Sequence, residues 1–174
     1  MRLPGLIPLL VLAASASAGE AGWLQELVLP LHFDPYAAVA QAQYRAAAAA
    51  ACEGSKPAGF AGYRWRLPAV AAELRTYPGA SEGKQVYIGF LKTKYGYQIA
   101  EVNRAYGLDA QSFTELQESP IVADAAREAV RRDDLEFDRE ARREMVTSIV
   151  AALRACDPKH ADGGLKLIIE ALLH

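Results

Sequence analysis

Apolar positions recur at helical spacing along most of this chain. From Pro35 to Glu53 alanine-rich positions run without a break, and Asp34-Pro35 supplies an N-cap and a first-turn proline. The spacing predicts a helix there that stops at Gly54, with high propensity and little apolar bulk to bury. A second helix is expected from Pro68 to Tyr77, broken by Pro78-Gly79. A third begins after Ser81 and carries the stripe Val86, Tyr87, Phe90 and Leu91. A short helix from Gln98 to Tyr106 should stop at Gly107 with a left-handed backbone. Ser112 and Glu115 form a capping box for another, and Ser119-Pro120 opens one more, to about Arg132.

The strongest pattern runs from Asp134 to Cys156. Ala141, Met145, Ile149, Ala152 and Cys156 fall three or four residues apart, with Val146, Val150 and Leu153 beside them. The charges of 124–144 read as a solvated face with i, i+4 pairs such as Asp138 with Arg142. Phe60 to Tyr63 allows a very short strand, and the apolar run 165–173 fits strand or helix equally well. The pattern therefore predicts a mostly α domain, residues 19–174, with one or two short strands.

The first 18 residues change the picture. Arg2, an apolar run from Leu6 to Ala14 and Ala16-Ser17-Ala18 have the order of a secretory signal with a small-residue cleavage site. The apolar run is too short to span a bilayer and is broken by Pro4, Gly5 and Pro8. The expected location is secreted or periplasmic, with no membrane attachment after cleavage.

Composition adds limits. The 174 residues are 52% apolar and 23% charged, with a net charge of −2. That charge gives no electrostatic reason to expect nucleic acid. Cys52 and Cys156 each end an alanine-rich helical pattern, where an exported chain can form a disulfide and a small buried thiol fits equally well. Neither they nor His32, His160 and His174 have metal-ligand spacing, and no cofactor motif is present. No carboxylate pair is forced into a cleft; Glu101 and Asp109 read as structural. The best ligand-binding candidates are aromatic: Tyr63 and Trp65 in a loop flanked by Arg64 and Arg66, and Tyr97 beside Gly96.

The segment FLKTKYGYQIAEVNRAYGLDAQSFTELQ, residues 90–117, resembles one found in TIM-barrel glycoside hydrolases of the β-galactosidase and agarase type. There a pattern "FL..KYG.I..LN.A.G....SF..L" follows a barrel strand. His32-Phe33-Asp34-Pro35 is similar to their "FDP" segment, and Phe60 to Tyr63 to their "IGY" strand. Gly83-Lys84 before Tyr87 also fits, and Ala151 to His160 is similar to a helix ending "IR..DPNH". The likeness spans residues 32–162. It implies a partial (β/α)8 barrel segment, since a whole barrel needs about 200–250 residues.

The departures set the functional expectation. Where such enzymes often carry Asn-Glu after the strand, this chain has Arg64-Trp65-Arg66-Leu67-Pro68 and no carboxylate. The resemblance thus implies an exported, truncated, carbohydrate-related relative without hydrolytic activity of its own. The alternative is an exported helical module that binds carbohydrate or a protein partner through Tyr63, Trp65 and Tyr97. Either leaves the apolar faces of Val86, Phe90, Ile149 and Leu153 in need of cover, by self-association or a partner chain.

Overall fold

The computed structural model describes residues 23–27, 34–53, 55–56, 58–65 and 69–161. Two short strands, β1 (Trp23–Leu27) and β2 (Phe60–Trp65), are joined through helix α1 (Ala38–Cys52) and pair in parallel. An irregular register between Trp23 and Leu24 places Trp23 opposite Phe60 and Leu24 opposite Gly62. After β2 come four short helices, α2 (Ala71–Leu74), α3 (Glu82–Lys94), α4 (Ile99–Tyr106) and α5 (Phe113–Glu118). One long helix, α6 (Glu128–Cys156), closes the described fold. The expectation of a mostly helical chain with short strands is met, and the described residues form no barrel. The signal segment 1–18 and the undecided run 165–173 lie outside the described residues.

Helices α1 and α6 run side by side in the same direction. The rings of Tyr36 and Phe137 meet at 6.0 Å between centroids. Two turns further along α1, the Tyr44 hydroxyl lies 3.4 Å from the Met145 sulfur. At the far ends Cys52 and Cys156 are joined in a disulfide with Cα atoms 6.0 Å apart. Residue number thus advances together on both helices. Strands in one sense force the helices that follow them into one sense too. Alanines on α1 let the pair approach closely, and Tyr44, Ala48, Met145, Ile149 and Leu153 are buried. Ile149 and Leu153 are therefore covered within the chain rather than left for a partner. Of the other two, Phe90 is half-buried and Val86 is exposed.

The two helices differ in length. Fifteen residues make α1 about 22 Å long, whereas the 29 of α6 span about 43 Å. The surplus at the start of α6 carries α2 to α5 as a helical excursion between β2 and α6.

Several sequence expectations are corrected here. Asp34 does not cap α1, whose N-cap is Ala37. Its carboxylate instead accepts from the Tyr36 and Gly83 amides, tying the loop before α1 to the start of α3. A Cβ at Gly83 would lie 2.3 Å from Asp34 Oδ1, so this approach needs a glycine. The predicted helix over 68–77 is reduced to the four residues of α2. The stretch 119–127 is not helical, because its backbone is used elsewhere. The Ile121 amide donates to Arg75 O, the Ser119 carbonyl accepts from Lys84 Nζ, and Asp124 closes a turn at Ala126.

The patterned segment is explained by local structure. Ser81 accepts from Lys84 N and Ser112 from Glu115 N, as their capping positions require. Gly107 ends α4 at φ 70°, with the Arg127 guanidinium where a Cβ would stand. Asn103 exchanges two hydrogen bonds with the Ala110 backbone and pins the loop that follows.

Candidate functional site

The excursion meets α6 along a polar seam. Asp133, Asp134 and Asp138 continue the apolar stripe of α6 toward its start, in step with Val130, Phe137 and Ala141. Each carboxylate is spent on a different element. Asp138 accepts from the amides of Val70 (2.7 Å) and Ala71 (2.9 Å), capping α2 from outside. It is buried, so the predicted surface pairing with Arg142 does not form. Asp134 accepts from the Tyr87 hydroxyl at 3.1 Å and pairs with Arg75 at 3.1 Å. Asp133 is 0% exposed and accepts from Tyr95 (2.6 Å) and Tyr106 (3.3 Å), with Lys94 at 3.0 Å.

Burial sets the electrostatics of the seam. The Tyr87 and Tyr106 hydroxyls lie 2.9 Å apart. Burial pushes both pKa values well above the usual phenol range. Tyr95 is pushed up to about 12, by burial and then by its bond to Asp133. Burial also raises Asp134, against the opposing pull of Arg75 and Tyr87. Lys84 is 0% exposed and donates to the carbonyls of Arg75 and Ser119. Its pKa is lowered to about 8, by burial and then by the charge of Arg75. Arg75 Nε and Nη1 are buried with no hydrogen-bond partner among the described residues. Every carboxylate of the seam is engaged as an acceptor. The seam fastens the excursion to α6.

The residues singled out by sequence are not brought together. Tyr63 lies in β2, not in a loop, and is 1% exposed. Its hydroxyl donates to Asp157 Oδ2 at 2.7 Å, and Asp157 also holds His160 Nδ1 at 2.8 Å. Burial acts to raise the Asp157 pKa, but the bonds from Tyr63 and His160 prevail and hold it below the usual range. Tyr63 also lies 3.8 Å from Cys52 Sγ. It is thus a buried support beside the disulfide, and no ligand can stack on it. Trp65 ends β2, and its side chain lies outside the described residues. Tyr97 is 73% exposed, in the turn between α3 and α4. Its φ of 61° makes it the one described non-glycine residue in the left-handed region, a conformation that costs roughly 1–2 kcal/mol.

No protein-family model, curated protein or solved structure matches the chain. Among the described residues no group of three or more His, Cys, Asp or Glu side chains could hold a metal ion. No helix among them is long and apolar enough to cross a membrane.

The seam was legible in one respect only. Counting the α6 stripe backwards from Ala141 by three and four lands on Phe137, Asp134, Asp133 and Val130. Nothing in the sequence tells which amides, hydroxyls or cations face those acids.

Proposed function

We propose that this chain is an exported, carbohydrate-related protein, akin to the barrel glycoside hydrolases and without hydrolytic activity of its own. One observation carries the reading. The parallel strands β1 and β2 are joined through α1, and α6 runs beside α1 in the same direction. Consecutive strand–helix units of a (β/α)8 barrel repeat this arrangement, with excursions after the strands. The order β1, α1, β2, excursion, α6 is the order expected of such a segment. The Cys52–Cys156 bond fits export, since disulfides persist in oxidising compartments. The non-hydrolytic part of the reading is supported by Arg64, Trp65 and Arg66 in place of a catalytic acid, and by the engagement of the described seam acids.

The test is an assay of the purified, oxidised chain on aryl β-galactosides and neutral oligosaccharides, alongside thermal melts with the same sugars. The expected result is no turnover and a melt raised by at least one sugar. Turnover abolished by a single Glu→Gln or Asp→Asn change would overturn the non-catalytic reading. A melt blind to every sugar would overturn the carbohydrate reading.

A further inference from the structure

We propose that the turn at Tyr97-Gln98 is a surface site for a neutral sugar. The inference rests on the carbohydrate reading above and adds a location and a chemistry to it. Tyr97 sits where the backbone favours glycine, and Gly96 before it is also left-handed at φ 59°. The turn closes through main-chain bonds alone: Tyr97 N donates to Lys92 O at 2.8 Å and Gln98 N to Tyr95 O at 3.1 Å. The Tyr97 side chain is 73% exposed, and its hydroxyl makes no hydrogen bond among the described residues. Folding therefore gains little from this side chain and bears the cost of its backbone. Strain kept at an exposed aromatic points to a contact outside the chain.

The surroundings select the kind of ligand. Gln98 is exposed, its amide lies against Gly96, and it too has no hydrogen-bond partner among the described residues. Nearby charges are already answered within the chain: Lys94 by Asp133 and Glu136, Arg104 by Glu101, Arg132 by Asp133. Lys92 lies over the Phe113 ring. What is left free is one aromatic face and one amide. That pair suits the apolar face and hydroxyls of an uncharged pyranose, and offers little to a charged partner. The turn lies at the end of α3 away from the Asp34 contact at Gly83, about 20 Å along the helix.

The experiment compares the oxidised chain with Tyr97→Gly and Tyr97→Phe. The probes are neutral oligosaccharides of galactose, glucose, xylose and mannose, read by affinity electrophoresis and by thermal melts. The expected outcome is that Tyr97→Gly weakens binding at least tenfold while its melting temperature is unchanged or rises by up to about 3 °C. Tyr97→Phe should keep most of the affinity, because the ring remains. Undiminished binding by Tyr97→Gly would overturn the site and leave the carbohydrate reading intact. A lowered melting temperature in Tyr97→Gly would show a folding role and overturn the argument from strain. No binding of any probe by the unaltered chain would overturn the site and the carbohydrate reading together.

Discussion

At Gly83 a single hydrogen atom in place of a side chain allows one element to reach another. The Asp34 carboxylate and a Leu74 methyl both occupy the space a Cβ would need, at 2.3 and 2.7 Å. Gly83→Ala should therefore destabilise the chain by about 1–3 kcal/mol, measured by denaturant titration. An unchanged midpoint would mean that Asp34 moves away freely. Lys84 makes a second residue-scale prediction. Its native pKa of about 8 lies below its ordinary value of 10.5. Between the two, the unfolded chain binds the proton that the folded chain has released, so stability rises with pH across that window. Above about pH 10 the buried tyrosines reverse the trend, because they ionise more readily when unfolded. The expected profile climbs from pH 8 toward 10 and then falls. Lys84→Met should remove the climb; a climb that survives this change would assign it to another group.

At the scale of elements, α6 is two helices in one. Its later part packs against α1 through Met145, Ile149 and Leu153, in the manner of any amphipathic helix. Its first part holds a polar seam, where Asp138, Asp134 and Asp133 take donors from α2, α3 and α4. Removing one acid leaves buried donors unmet, which costs more than the bond itself is worth. Asp138→Ala strips both amide contacts from the N-terminal end of α2 and should cost roughly 1–3 kcal/mol. The loss should be local, so amide exchange in α2 and α3 should quicken while that of Ile149 and Val150 holds. Equal acceleration throughout would show that the excursion and the α1–α6 pair unfold as one unit.

At the scale of the whole molecule, the disulfide fastens two parallel helices at one end. Cys52 and Cys156 are 104 residues apart, and a loop of that length restricts the unfolded chain by about 4–5 kcal/mol in the chain-entropy model. Replacing both cysteines by alanine should lower the melting temperature by roughly 8–15 °C, read by circular dichroism. Reduction with dithiothreitol should match it. A melt indifferent to both would mean that helix packing alone sets the stability. Asp157, Tyr63 and His160 gather beside the same link, so the base of the molecule is cross-braced by covalent and polar contacts together.

What the sequence determined by itself is local. Helix content, the left-handed stop at Gly107 and the caps at Ser81 and Ser112 depend on neighbours within a turn or two, and such signals survive in one dimension. The core stripe of α6 was legible for the same reason, and only its upstream continuation into aspartates disguised it. The pairing of the cysteines stayed open, because two small thiols look the same in sequence whether joined or merely buried. Only the tertiary structure decided where long-range partners stand. It turned Asp34 from a cap into a tie to Gly83, drew Asp138 into the core and buried Tyr63, and it denied a helix to 119–127. In each case a carboxylate, hydroxyl or backbone group found its partner far along the chain. Burial then fixed the choice, since a polar group removed from water must be answered by whatever the fold places beside it.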